Sequence, residues 1–406
     1  SIDSVKQIRD RFLDIRYRTA NSQNSDLAKK AEILESINNI IDETTNDGLG
    51  VHLEEFYARL QTLSANTGKV EFSSLVRSSA QKLTETVKFY YQQLNRVGEQ
   101  EKENLELITI KDVNKYIDKI VELNKSIQNE VLLQNSPNDL YDARNLLLDK
   151  LSSELNISVT EHEDGTVSVM CGDKYLIDAA GNSFATLSFD RDTGKISLSD
   201  GTELEIESGA IKGSLDLIYG KGSFAASGEN DFRGIAYYIE SLDNFAVKFA
   251  ETFNTLNGPG KPLFTGTDAA TLKVSEEWLA DANFITATTD GDPSEGKNDN
   301  ILKMLCALDS PIQITDNFEG TFSNFVLTLM SDAGIDKNYY SDLSKTADTV
   351  LTSIDNQRES IKGVSINEET VNMIKYQKAF EASARVMTAL DEMLDIIINR
   401  MGIVGR

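Results

Sequence analysis

Six apolar residues recur at intervals of seven near the C-terminus: Ile366, Met373, Phe380, Met387, Leu394 and Met401. Tyr376, Leu390, Ile397 and Val404 each stand three residues after a member of that series, and Ser383, three after Phe380, is polar. This alternation of threes and fours lasts about five heptads, so it places one apolar stripe along an α-helix and predicts a coiled-coil seam. A helix with such a stripe buries it against helices of its own chain or against neighbouring subunits. The spacing leaves both open, with intrachain packing expected to account for part of the seam. The residues expected to carry packing are Met373, Tyr376, Phe380, Met387, Leu390, Leu394, Ile397 and Met401.

The first third of the chain has the same character. Residues 1–134 contain Gly48, Gly50, Gly68 and Gly98 as their only glycines and no proline, which suits helix interiors. Val5, Ile8, Phe12 and Ile15 form one stripe, and Leu27, Ala31, Leu34, Ile37 and Ile41 another. The pattern restarts after Asn46–Gly50 with Leu53, Phe56, Leu60 and Leu63. A long helix is then predicted from Phe72 to Gln134, roughly 90 Å at ~1.5 Å per residue. It carries one stripe at Leu83, Val87, Tyr90, Leu94 and Val97, and a second at Ile110, Val113, Ile117, Ile120, Asn124, Ile127 and Val131. Their phases disagree between Glu101 and Ile110. Asn124 falls on the second stripe, where a polar residue either fixes register or satisfies a buried neighbour.

After Leu155 the period changes to two. Ile157 and Val159, then Val167, Val169 and Cys171, then Ile196 and Leu198 alternate with polar residues around Asp164-Gly165, Thr193-Gly194 and Asp200-Gly201. Such turns between alternating runs predict antiparallel hairpins. Residues 156–228 are therefore expected to form an inserted β-rich domain, all-β to about residue 225. Helix returns with Ile235, Tyr238, Leu242, Phe245, Phe249 and Phe253 on one face, and an irregular stretch follows at 258–300. The expected organisation is α+β and multidomain: an elongated helical bundle or coiled-coil domain formed by both ends of the chain, 1–155 and 229–406, interrupted by an antiparallel β-rich insertion.

Composition narrows the function. The formal net charge is −25 (40 basic against 65 acidic residues), which repels phosphate backbones and anionic lipid surfaces, so neither nucleic acid nor membrane is an expected partner. No apolar run reaches the length of a membrane-spanning helix, about 18 residues. Two cysteines and two histidines leave little for metal, disulfide or acid–base chemistry.

The suggestive motifs each lack something. Gly220-Lys-Gly222-Ser-Phe-Ala225 matches a dinucleotide fingerprint, with Glu240 twenty residues on, but its surroundings read as antiparallel hairpins rather than a βαβ unit. Asp190-Arg-Asp192-Thr-Gly194 has its glycine too early for a calcium loop, and a hairpin turn explains it better. His162-Glu163 and His52-Leu-Glu do not extend to a zinc-protease motif, and no nucleophile elbow occurs. No catalytic, cofactor-binding or metal-ligating set is expected, and the chain reads as a non-enzymatic structural subunit. A secreted adhesin or glycan-binding module on a helical stalk is the reading from a different class.

Three stretches resemble the flagellar hook-associated protein 1 family, the first junction proteins between bacterial hook and filament. They are Ser136-Pro-Asn-Asp-Leu-Tyr-Asp-Ala-Arg144 with the following Asn145–Leu151, Gly296-Lys-Asn-Asp-Asn-Ile-Leu302, and Gly363-Val-Ser-Ile-Asn-Glu-Glu369 continuing to Asp391-Glu-Met-Leu394. The last block is shared in outline with flagellins, so flagellin and the second junction protein are the near alternatives; both are expected to lack the Pro137–Arg144 segment. The resemblance implies export through the flagellar secretion apparatus, an extracellular place in the flagellum and an outward-facing β-domain. As partners it implies the hook protein, the second junction protein, copies of the chain in a ring and an export chaperone. The family's apolar, Asn-rich N-terminal segment has no counterpart here. The resemblance therefore implies an N-terminally truncated chain, monomeric and lacking half of the terminal coiled coil.

Overall fold

A computed structural model describes residues 10–41, 48–289, 297–362 and 366–400. The chain divides into two compact units, one of residues 14–354 and one of residues 1–13 with 355–406. Val5, Ile8, the acidic loop at 290–296 and Met401 lie outside the described residues.

The larger unit begins with helices α1 (Arg11–Ile41), α2 (Leu49–Ser64) and α3 (Val70–Asn104). A π turn, Leu105–Thr109, joins α3 without a break to α4 (Ile110–Leu132). The 63 residues run about 95 Å at ~1.5 Å each. The predicted phase slip is this π turn: the Ile110 N–H bonds the Leu105 carbonyl five residues back, and the extra residue turns the second stripe onto its own core.

Helix α5 (Asn138–Glu154) leads into a four-stranded antiparallel sheet in the order β1 (Ile157–Glu161), β2 (Val167–Cys171), β3 (Lys174–Asp178) and β4 (Ser183–Phe184). A hairpin of β5 (Leu187–Phe189) and β6 (Ile196–Leu198) follows. The expectation of β structure up to residue 225 needs correction: Ala210–Tyr219 is a helix, α6. Its buried Ile211, Leu217 and Ile218 have helical spacing, but Gly213 and Ser214 in its middle hid the period from a sequence reading.

Helix α7 (Ile235–Asn257) buries the predicted face, Ile235, Tyr238, Leu242, Phe245, Phe249 and Phe253. The irregular stretch contains β7 (Phe264–Thr265) paired with β8 (Lys273–Val274) and a short helix α8 (Glu276–Ala280). Then come α9 (Asp299–Asp309), the hairpin β9 (Ile312–Thr315) with β10 (Phe318–Gly320), and α10 (Phe322–Lys362). Helix α11 (Ile366–Asp395) and a π turn, Ile396–Arg400, end the described chain.

Two hydrophobic cores hold the larger unit. Core one joins Leu34 and Ile37 of α1, Phe56 and Leu60 of α2, Leu83 to Leu94 of α3, the α7 face, Phe264, Trp278, Met304 and Phe322. Its centre is aromatic, with Phe249 and Phe253 centroids 4.6 Å apart and Phe56 edge-on to Phe253 at 5.2 Å. Core two joins Leu105 and the α4 stripe to Leu148 and Leu151 of α5, Val167, Val169 and Cys171 of the sheet, Ile196 and Leu198 of β6, and Ile211 of α6. The β-rich insertion therefore shares its core with the helices that flank it.

Helix asparagines fasten the strands to these helices. Asn124 donates to the Val167 carbonyl (2.8 Å) and accepts from the Val167 N–H (3.2 Å). Asn114 does the same to Leu187 at 2.9 and 2.7 Å, and Asn254 to Phe264 at 2.8 and 2.9 Å. Each amide stands in for a neighbouring strand and satisfies both polar groups of one residue.

Candidate functional site: an exposed apolar helix

The seam predicted at the C-terminus forms a helix, and that helix is exposed. Lys378 and Glu381 pair at 2.9 Å along its polar side. Ser383 and Thr388 satisfy their hydroxyls on carbonyls one turn back, Ala379 and Ala384, so the polar interruptions do not break it. Met373, Tyr376, Phe380, Met387, Leu390, Leu394 and Ile397 are all at least half exposed, Phe380 reaching 75% and Met387 70%.

Sequence reasoning missed part of this surface. Val386 and Met393, each one residue before a member of the heptad series, are 60% and 57% exposed, and Ala379 holds the same position one heptad earlier. The signal was their own spacing of seven. The apolar arc is broader than a two-stranded seam and matches the width that packing inside a bundle requires. Exposed apolar surface of this extent marks an interaction site. At the other end of the chain Phe12 and Ile15, predicted as a packed stripe, are also exposed, whereas Leu13 is buried.

The Pro137–Arg144 segment has a structural role. Arg144, 1% exposed, donates to Asn124 Oδ1 (3.0 Å) and to the Gly165 carbonyl (2.6 Å) from one nitrogen, and its guanidinium lies 5.2 Å from the Tyr141 ring centroid. It thereby ties α5 to α4 and to the β1–β2 turn. Gly165 has φ +82°, and a Cβ there would stand 2.7 Å from the Tyr141 hydroxyl, so this turn admits no larger residue.

The geometry disposes of the other motifs. Gly220 follows a helix, not a strand, and its carbonyl accepts from the Gly234 and Tyr237 N–H groups. A Cβ on Gly220 would stand 2.4 Å from the Phe232 carbonyl, so the glycine serves backbone packing rather than a pyrophosphate. Asp190 accepts from the backbone of Asp192 and Thr193 at the tip of the β5–β6 hairpin. His162 bonds the Ser168 hydroxyl. Among the described residues no acidic, histidine or cysteine cluster suited to a metal ion occurs, and no helix is long and apolar enough to cross a membrane.

Of the two free cysteines, Cys306 is exposed on α9, while Cys171 is buried in core two, where burial pushes its thiol up to about 12. The native protein is expected to show one fast thiol per chain with an aromatic disulfide reagent and a second only on unfolding. Two fast thiols would mean that core two stands open.

Known proteins match this chain over nearly its whole length. Residues 34–272 match the family described as the flagellar hook-associated protein FlgK helical domain. Flagellar hook-associated protein 1 of Bacillus subtilis (strain 168) is 32% identical over 99% of this chain and 86% of its own length. The chain belongs to the flagellar hook-associated protein 1 family. Within that family the Escherichia coli (strain K12) protein is 23% identical, over 98% of this chain and 89% of its own. A solved structure, that of the flagellar hook junction protein FlgK from Burkholderia pseudomallei, superposes with a TM-score of 0.69 over 86% of this chain and all of that one, at 15% identity. Residues 357–401 match a second family, the flagellar basal body rod FlgEFG protein C-terminal region. The exposed helix α11 thus coincides with a segment resembling rod proteins, and core two and part of core one with the helical domain of the hook-associated proteins.

Proposed function

We propose that this chain is a structural, non-enzymatic subunit of the extracellular bacterial flagellum, placed at the junction between hook and filament. One observation carries the reading. Helix α11 exposes an apolar arc in a chain that buries the apolar stripes of α3, α4 and α7, and that helix is the part resembling rod proteins. The mechanism is geometric: the arc is buried between subunits during assembly, and burial of apolar area at about 25 cal/mol per Å² supplies the driving force. Met373, Tyr376, Phe380, Met387, Leu390, Leu394, Ile397 and Met401 are the packing residues, with Val386 and Met393 widening the contact. The partners are the hook protein, the second junction protein and further copies of the chain, reached after export through the flagellar secretion apparatus. The division into helical parts 1–155 and 229–406 and a β-rich part 156–228 is functional in this reading, the last facing outward.

Electron microscopy of source cells with this gene deleted tests the placement. The expected result is bare hooks with flagellin lost to the medium. Normal filaments would sink the reading and favour an adhesin; missing hooks would move the subunit inward to hook or rod.

A further inference from the structure

The long helix contains one residue more than its packing needs. Buried positions along it step by three or four through Leu94, Gly98, Glu101 and Leu105, and again through Ile110, Val113, Ile117 and Ile120. The step from Leu105 to Ile110 is five. Removing one residue between them would restore a regular step of four and leave both stripes facing their cores. The π turn is thus an insertion absorbed in place, and its Leu107 and Ile108 are exposed.

Its position matters more than its presence. Leu94 is the last buried α3 side chain of core one, with the half-buried Val97 packed against it, and Leu105 is the first of core two. Helix α6 crosses this boundary, with Ile211 in core two and Leu217 in core one, and polar groups make many of the other connections. Lys29 pairs with Glu101 at 2.9 Å, Lys30 with Asp216 at 2.7 Å, and Ser22 with Ser208 at 2.6 Å. Arg191, at the β5–β6 turn, reaches Glu99 of α3 at 3.1 Å and Glu106 within the π turn at 3.2 Å. Polar contacts of this kind admit water or exchange partners over a small rotation, whereas interdigitated apolar side chains do not. An open cleft of about 500 Å³ lies at the same level, between Asp192 and Tyr219 on one side and Ile239 and Val247 on the other, and leaves room for closure.

From these observations we infer that the π turn Leu105–Thr109 is a hinge between two bodies, one built on core one and the other, bearing the sheet, on core two. Tilting about it opens and closes the cleft while each core stays packed. The hinge stands on the chain's own geometry and holds or fails independently of the assembly the chain enters.

Two measurements on the full chain test it. In native-state hydrogen exchange the amides of Leu105–Ile110 are expected to exchange at least tenfold faster than those of Tyr90–Leu94 and Val113–Ile120; uniform protection along the helix overturns the hinge. For the second, spin labels are placed on the exposed Cys306 and on an introduced Thr160→Cys in β1, the buried Cys171 remaining unlabelled. Deleting Ile108 is expected to narrow the distance distribution at least twofold with no loss of melting temperature. Deleting Lys115 instead, which turns every later stripe residue off its core, is expected to abolish cooperative unfolding of the sheet-bearing half. An unchanged width, or an Ile108 deletion as damaging as the Lys115 deletion, overturns the proposal.

Discussion

Replacing Met387 with aspartate is expected to abolish incorporation of the chain into flagella while leaving its melting temperature unchanged. Met387 is 70% exposed, so the free chain keeps its contacts and the new carboxylate stays hydrated. In the assembled state the same position lies in the middle of the apolar arc. Burying an unpaired carboxylate there costs at least about 3 kcal/mol, beyond a hundredfold in affinity at each contact. The controls are Met387→Leu, which conserves volume and should incorporate normally, and Glu381→Ala on the polar side, which should lose little. Counting the subunit in sheared flagella by quantitative immunoblot, beside a swimming assay, separates the outcomes. Met387→Asp at wild-type levels would remove α11 from the assembly mechanism.

The second large effect belongs to the fold. Arg144→Met is expected to destabilise the sheet-bearing half by about 3 kcal/mol, since it strips charge-assisted bonds from a buried carbonyl and a buried amide. Asn124→Leu is expected to cost about 2–4 kcal/mol, because both polar groups of Val167 lose their partner inside core two. The decisive quantity is their coupling. Arg144 and Asn124 share one hydrogen bond, so urea denaturation of the double variant should show a loss smaller than the sum by about 1 kcal/mol. Strict additivity would mean that the two residues act separately and that the Pro137–Arg144 segment does not work through Asn124.

Much of this was legible in the order of residues. The heptad series, the α7 face and the hairpins at Asp164-Gly165, Thr193-Gly194 and Asp200-Gly201 all rest on local periodicity, which a chain expresses wherever it later packs. The disagreement in phase between Glu101 and Ile110 was also visible, and it marked the π turn. Helix α6 was not, because Gly213 and Ser214 break its pattern and contacts from α3, α5 and α7 hold it in shape. The pairing of Asn114 and Asn124 with strand backbones was likewise out of reach. An asparagine on an apolar stripe indicates that some buried group needs it, and the group here is 73 or 43 residues away.

The sequence by itself determined, α6 apart, where the main helices and hairpins lie, where the long helix changes phase, and which stripe on each of those helices is apolar. Only the tertiary structure decided which of those stripes were covered. It buried the faces of α3, α4 and α7 in two cores shared across the insertion and left the stripe on α11 in the open. The physical reason is that periodicity belongs to one segment, whereas burial belongs to at least two. Leu83 and Met387 carry the same kind of signal, and what separates them is that Leu83 is fully buried in core one while Met387 is 70% exposed.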